Sequence, residues 1–111
     1  MDANLLKGNL DLILLSILED GEMYGLEITK EAQTRTDGYF SFSVGSLYPA
    51  LHRLVKSGWV ETQWQPSTSG GPPRKYYQLT DTGARTCQQK KLEWQKTRNA
   101  LDALMTRLIG A

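Results

Sequence analysis

Apolar residues at helical spacing dominate the first part of the chain. Between about residues 5 and 18 they recur every three or four positions along one stripe, and further leucines mark a second face. The first stripe comprises Leu6, Leu10, Ile13, Leu14, Ile17 and Leu18, and the second comprises Leu5, Leu12 and Leu15. A helix that is apolar on most of its circumference must be buried on most of it. In a chain of 111 residues this predicts one face in the chain's own core and the other against a partner subunit.

The next apolar positions predict a second helix, from Met23 to about Arg35. Leu26 and Ile28 are its expected apolar anchors, and Ala32 is small enough to allow close packing. The segment TDGYFSFS that follows has the composition of a turn.

A third helix carries a clearer pattern. Its expected core face repeats at helical spacing and consists of Val44, Leu47, Leu51, Leu54 and Val55. Ser43 is a suitable N-cap, and Gly58 suits the left-handed position after the last turn. Pro49 is unstrained only if the regular helix begins near Ser46, because with Ser43 as cap it forfeits a backbone bond and bends the helix. We expect Pro49 to fix the start of this helix.

Two strands are predicted after the third helix. The segments WVETQWQ (59–65) and KYYQLT (75–80) are rich in aromatic and β-branched residues, and residues 66–74 between them have the composition of an extended hairpin loop. The order of three helices, strand, loop and strand is that of a winged helix-turn-helix. The predicted fold is therefore mainly α with a β-hairpin (α+β), with a winged helix-turn-helix domain at 1–80 and a C-terminal dimerisation helix at 81–111.

The C-terminal segment predicts one long helix. It starts with Thr80 or Asp81 as the cap and runs to about Ile109, with a stripe that repeats every seven residues at Cys87, Trp94, Leu101 and Leu108. At about 1.5 Å per residue such a helix is roughly 40 Å long, which exceeds the width of a winged helix. Its far end needs apolar cover from a partner subunit. The residues expected at this dimer interface are Leu101, Leu104, Met105 and Leu108.

Composition excludes several classes of protein. A single cysteine, Cys87, excludes an internal disulfide, and one histidine and one cysteine make a zinc site improbable. The chain shows no nucleophile, base and orienting group in one place, so we expect neither catalysis nor a metal or other cofactor. The longest apolar run, Leu12 to Leu15, is far shorter than a membrane span of roughly 20 residues. We expect a cytoplasmic protein that does not associate with a membrane.

Charge is distributed unevenly along the chain. Residues 1–37 sum to −5, whereas residues 38–80 and residues 81–111 each sum to +3. Residues 38–80 contain one acid, Glu61, and four Lys or Arg. A surface with few carboxylates suits contact with a polyanion, although chance segregation on a solvated surface gives the same pattern.

Three motifs together resemble those of the PadR family of transcriptional regulators. They are MYGLEI (23–28), GSLYPALHRLVKSGWVE (45–61) and GGPPRKYYQLTDTG (70–83), and the resemblance covers about residues 5–105. The single C-terminal helix resembles the small LmrR-like subgroup. The resemblance implies a homodimeric, effector-responsive repressor on a pseudo-palindromic operator in double-stranded DNA. The alternative is a winged-helix protein-interaction module without operator binding, since a fold does not fix a function.

The resemblance and the residue chemistry both indicate the same DNA-binding positions. The third helix is expected in the major groove and the hairpin at the minor groove or backbone. The candidate contacts are Ser46, Tyr48, Pro49, His52, Arg53 and Lys56 on the third helix, with Arg74 and Lys75 in the hairpin. Other interpretations stay open: a solvated His52, a partly buried Tyr48, and a hairpin whose two cations only confer solubility.

Trp94 indicates the expected effector site. In the LmrR-like subgroup a tryptophan at this distance from the glycine of TDTG sandwiches flat aromatic ligands in the dimer pore. By the same resemblance, Leu5, Gly8, Leu12 and Ser16 of the first helix line the site. The alternative is that Trp94 only fills the dimer interface. Lys91 and Arg98 flank Trp94, which favours anionic aromatic ligands or a partly closed pore if both point inward.

Overall fold

The fold combines four helices with a small antiparallel sheet. The computed structural model describes the backbone of residues 3–109 and the side chains of residues 9–106. The elements are α1 (Ala3–Leu18), β1 (Met23–Tyr24), α2 (Gly25–Arg35), α3 (Val44–Lys56), β2 (Val60–Gln65), β3 (Arg74–Leu79) and α4 (Asp81–Ile109). The sheet order is β1-β3-β2, and both pairings are antiparallel. The predicted α+β winged helix with a long C-terminal helix is confirmed.

The start of the second helix is a correction to the sequence-based expectation. Met23 and Tyr24 form a short strand, in which Tyr24 is opposite Tyr76 of β3. The Tyr24 amide then donates to the Glu27 carboxylate at 3.2 Å, so the chain turns from strand to helix at this residue. Leu26 is not an anchor of α2, because its side chain is 55% exposed.

One core fills the space between α1, α2, α3, the sheet and the first turns of α4. Leu14, Leu15, Ile28 and Leu51 are fully buried in it. The core face of α3 begins at Leu47, one turn later than expected. Val44 is the first residue of α3 and is 72% exposed, so its place on the predicted core face is wrong.

The caps of α3 lie where the sequence predicts them, but Pro49 does not have its predicted role at the start of the helix. Ser43 Oγ accepts from the Ser46 amide, and the helix begins at Val44. Pro49 therefore lies inside the helix and does not fix its start. Its missing amide leaves the Gly45 carbonyl without its helical donor, and because both residues are exposed this carbonyl is open to solvent.

The C-terminal end of α3 leads directly into the hairpin. Gly58 has φ +80°, and the Trp59 amide donates to the Leu54 carbonyl at 3.1 Å while the Gly58 amide donates to the Val55 carbonyl at 3.0 Å. This is the Schellman arrangement, in which a left-handed glycine closes the last helical turn. It places β2 immediately after α3, so the hairpin lies beside the exposed side of that helix.

Thr80 and Gly83 fix the start of α4. Thr80 Oγ1 accepts from the Gly83 amide at 3.0 Å and donates to the Gly58 carbonyl at 2.6 Å, which confirms the predicted cap. A Cβ built on Gly83 lies 1.8 Å from the Trp59 carbonyl oxygen, so only glycine fits there. Helix α4 packs on α1 at the buried Cys87 and then extends beyond the core, giving a molecule of 57 × 28 × 22 Å.

Candidate nucleic-acid interface

The predicted DNA-binding side chains of α3 lie on its exposed side. Tyr48, Pro49, His52, Arg53 and Lys56 are all exposed, and Ser46 is half-buried. Two of these side chains are engaged within the protein. The Ser46 hydroxyl accepts from the Ser43 hydroxyl at 3.2 Å, and Arg53 pairs with Asp11 of α1 at 3.3 Å.

Tyr48 is positioned by the first residue of α2. A Cβ on Gly25 would lie 2.4 Å from the Tyr48 hydroxyl oxygen and 2.9 Å from the ring carbon that carries it. The absence of a side chain at Gly25 therefore lets the phenol lie across the start of α2. The Tyr48 side chain is still 44% exposed, so it contacts the protein and remains accessible.

A trough separates the exposed side of α3 from the hairpin. It consists of two cavities of about 420 and 450 Å³ that share Tyr48, Lys75 and Tyr77. The remaining lining residues are Pro49, His52 and Val55 at one end, and Tyr24, Gly25, Trp64 and Arg74 at the other. Of the described residues that line the trough, none is Asp or Glu.

Both hairpin cations are held beside aromatic rings. The Arg74 guanidinium lies over the Tyr24 ring, 4.4 Å from its centroid, and Tyr24 meets Tyr76 edge to face at 5.5 Å. The Lys75 ammonium lies 5.9 Å from the centroid of the Tyr77 ring. Such contacts orient a cation without neutralising it, so both charges remain available to a phosphate.

Tyr77 forms the polar floor of the trough. Burial raises the pKa of Tyr77 above its ordinary value, and the neighbouring Tyr48 adds to the shift. The phenol therefore stays protonated and uncharged under neutral conditions, and it adds no negative charge to the trough.

Trp64 also lines the trough, although the sequence motifs did not select it. Strand alternation could have found it, because Trp64 lies two positions after Thr62 and four after the buried Val60. Its side chain therefore points to the same side of the hairpin as the core residues, but at a position that the core does not reach.

A separate apolar cavity brings together part of the predicted effector site. Its volume is about 330 Å³, and Leu12, Ser16 and Trp94 all line it. Leu5 and Gly8 lie outside the residues whose side chains are described. Lys91, whose inward orientation the sequence left open, also lines the cavity. The remaining lining residues were not predicted; they are Ile13, Ile17, Ala32, Arg35, Thr36 and Phe40. The motifs placed this site only on α1 and α4, so the contribution of α2 and of the α2–α3 loop was missed.

The cations near Trp94 already have carboxylate partners. Lys91 pairs with Glu19 of α1, and the hydrogen bond to Glu19 raises the pKa of Lys91. Arg98 lies 3.8 Å from Asp102 and does not line the cavity. Of these two cations, therefore, Lys91 lines the cavity with its charge paired to Glu19, and Arg98 lies outside it.

The predicted dimerisation residues are exposed in the single chain. Leu101 is 42%, Leu104 73% and Met105 40% exposed, while Leu108 lies outside the described side chains. Leu92 and Trp94 on the same helix are exposed as well. A long helix with this many exposed apolar side chains is typical of a surface that another chain covers.

The described part of the chain holds neither a metal-binding cluster nor a membrane-spanning helix. Among the described residues there is no cluster of three or more His, Cys, Asp or Glu side chains that could hold a metal ion. The helices within that part of the chain are all too short or too polar to cross a bilayer.

Comparison with known proteins identifies the family. The model of the Transcriptional regulator PadR-like family matches residues 14–89. An uncharacterised protein of Lysinibacillus sphaericus is 30% identical over 103 residues, which cover 93% of this chain and 94% of that protein.

Solved structures agree with this assignment. A transcriptional regulator from Clostridium thermocellum is 31% identical with a TM-score of 0.82, and the match covers 93% of this chain and 96% of that one. A PadR-like transcriptional regulator from Bacillus cereus is 31% identical with a TM-score of 0.80, and the match covers 98% and 100%. The chain therefore belongs to the PadR-like family of DNA-binding transcriptional regulators, which are not enzymes.

Proposed function

We propose that the protein is a cytoplasmic, homodimeric repressor that binds a pseudo-palindromic operator and is released by a small aromatic effector. The observation that carries the DNA-binding part is the trough between α3 and the hairpin. It combines accessible cations with aromatic side chains, and none of the described lining residues is acidic. Phosphate contacts require this kind of surface, because a carboxylate there repels the DNA backbone.

The proposed docking places α3 in the major groove and the hairpin on the adjoining backbone. In this arrangement Tyr48, Pro49 and His52 face base edges or phosphates from α3, while Arg74 and Lys75 hold phosphates from the hairpin. Lys56 is exposed in the last turn of α3 and reaches the backbone there. Ser46 and Arg53 join the contacts by exchanging their partners within the protein for DNA.

Lys75→Ala tests this docking. With a duplex selected from a random pool by the unmodified protein, the variant should bind more weakly. The slope of log affinity against log salt should fall by about 1.8, because each of the two subunits loses one phosphate contact and each contact contributes about 0.9. Lys96→Ala is the matched control, because it removes the same charge from an exposed position on α4. Equal slopes for the two variants, or no binding of any duplex by the parent at low salt, would contradict the proposal.

The homodimer is proposed from the exposed apolar side of α4. Leu104→Lys should shift the dimer to monomer in sedimentation velocity at micromolar concentration, because a charge at that position must then be buried unpaired. Gln89→Lys, which introduces the same charge at an exposed α4 position outside the apolar stripe, is the control. An unmodified protein that sediments as a monomer at this concentration refutes the proposal.

The effector site is proposed for the cavity that Leu12, Ser16 and Trp94 share. A flat ring system suits an apolar cavity with an exposed indole on its wall. The probes are 1-naphthoate and 1-naphthylmethylammonium, which share one flat ring system and carry opposite charges, so a difference in their affinities reports the charge preference of the site. Calorimetry avoids the overlapping fluorescence of Trp59 and Trp64. Trp94→Ala should weaken binding of whichever probe the parent binds; equal affinity in the variant rules out this role for Trp94.

A further inference from the structure

Trp64 is exposed to a degree that the fold does not explain. Its side chain is 66% exposed, although it lies in a regular strand and is opposite Lys75 in the register of β2 and β3. An indole combines a large apolar surface with an N–H donor, and exposed aromatic side chains of this kind are enriched at interfaces. The neighbouring residues Thr62 and Gln63 are also exposed, so this part of β2 lies beyond the core.

The indole lies on the inner side of the trough. Val60, Thr62 and Trp64 share one face of β2, opposite Leu79, Tyr77 and Lys75 of β3. The buried Val60 and Tyr77 show that this face is the one directed toward α3. Trp64 therefore continues the core-facing side of the hairpin past the end of the core, where it lines the same cavity as Tyr48 and Gly25.

The surroundings of Trp64 suit one strand of a nucleic acid. Arg74 and Lys75 line the cavity beside it, and no described lining residue is a carboxylate. A DNA strand presents phosphates and apolar deoxyribose faces in alternation. A cation next to an exposed aromatic ring matches this alternation, whereas an apolar peptide or a second copy of the hairpin would leave both cations without partners.

We propose that Trp64 is a DNA-contacting residue whose indole packs against a deoxyribose of the strand that lies in the trough. Lys75 and Arg74 hold the flanking phosphates of the same strand. This inference rests on the proposed operator binding and assigns to it a nonpolar contact in the hairpin. The contact contributes affinity without adding an ionic interaction.

The salt dependence of binding distinguishes this contact from a charge effect. With the selected duplex, Trp64→Ala should raise Kd roughly 70-fold, the effect of losing about 50 Å² of buried apolar area in each of the two subunits at the usual transfer coefficient. The slope of log affinity against log salt should stay at the parent value, because no counterion release is lost. Trp64→Phe should recover part of the affinity. Lys75→Ala, by contrast, should lower both affinity and slope.

Gln63→Ala supplies the matched control. Gln63 is exposed in the same strand, but strand alternation places it on the opposite face of the hairpin, so this variant should bind as the parent does. Thermal melts of all variants should coincide within a few degrees, since both side chains are largely exposed. The inference is overturned if Trp64→Ala binds with unchanged affinity, or if its slope falls as far as that of Lys75→Ala. A parent that binds no duplex overturns operator binding itself, and the Trp64 contact with it.

Discussion

The contact between Gly25 and Tyr48 predicts a substitution that lowers DNA affinity without unfolding the protein. In Gly25→Ala, the new Cβ meets the Tyr48 hydroxyl oxygen at 2.4 Å and the adjoining ring carbon at 2.9 Å. Ordinary contact needs about 3.4 Å or more, so the ring must move by roughly 1 Å. Because Tyr48 is 44% exposed, it can rotate away into solvent, and little stability is lost.

The expected loss of affinity follows from hydrogen-bond geometry. If the Tyr48 hydroxyl donates to a phosphate in the proposed docking, a displacement of about 1 Å breaks that hydrogen bond, and bonds to charged groups contribute about 1.5–3 kcal/mol. Each subunit of the proposed dimer loses one such bond, so Kd for the selected duplex should rise by roughly 10²- to 10⁴-fold. The melting temperature should change by only a few degrees. The assay is fluorescence anisotropy with labelled duplex, beside a thermal melt of the same sample.

A double-mutant cycle with Tyr48→Phe decides whether the loss acts through the hydroxyl. Tyr48→Phe removes that hydroxyl, so Gly25→Ala should have little further effect on Kd in its background. The two substitutions should then be strongly non-additive. Additive losses would show that Gly25 contacts DNA by another route, and an unchanged Kd in Gly25→Ala would refute the positioning of Tyr48 altogether.

Two further predictions concern stability and reactivity. Gly83→Ala places a Cβ 1.8 Å from the Trp59 carbonyl oxygen, so overpacking of about 1–3 kcal/mol should lower the melting temperature. Gly45→Ala is the control, because its new Cβ has its nearest neighbouring atom at 3.9 Å, and it should raise the melting temperature slightly. Equal melting temperatures for Gly83→Ala and Gly45→Ala would contradict the clash at Gly83. Burial raises the pKa of the Cys87 thiol, and the negative charge of Glu19 adds to the shift. Alkylation by iodoacetamide at pH 8 should therefore be many times slower in the native protein than in urea, and equal rates would refute this burial.

Local signals predicted the elements that local interactions determine. The cap at Ser43, the left-handed Gly58 and the start of α4 at Thr80 all depend on residues within a few positions of one another. The hairpin strands were likewise found within one residue, because their composition and the intervening Pro and Gly residues are local features. These parts of the fold could therefore be predicted from short segments of the sequence.

Long-range pairing explains the elements that the sequence did not predict. Met23 and Tyr24 form a strand because Tyr76 and Tyr77 of β3 lie opposite, about fifty positions further along the chain. No local pattern contains that pairing. The position of Pro49 was mispredicted for the same reason, that local sequence does not show long-range packing. Helix α3 continues through Pro49 although a proline in a helix interior costs about 3 kcal/mol of stability. Core packing by the flanking Leu47 and Leu51 offsets that cost.

Only part of each candidate site could be predicted, because long-range contacts also shape these sites. Motif positions selected Lys75 and Tyr48, which line the trough, and the distance from Gly83 selected Trp94, which lines the apolar cavity. They could not show that Arg53 meets Asp11 of α1, or that Phe40 joins the cavity beside Trp94. Both contacts join segments that are more than forty positions apart, and only the packed structure brings them together.

Exposed apolar area connects the fold to the proposed activities. The large apolar side chains left exposed among the described residues fall into two groups, with Tyr39 apart from both. The first group lies on α2, α3 and the hairpin and consists of Leu26, Val44, Tyr48 and Trp64. The second group lies on α4 and consists of Leu92, Trp94, Leu101, Leu104 and Met105. Apolar side chains that are exposed in a cluster, and not singly, are typical of surfaces that a partner covers. In the first group Tyr48 and Trp64 line a cationic trough, and the second group follows a long projecting helix, so a polyanion and a second subunit are the partners that these surroundings favour.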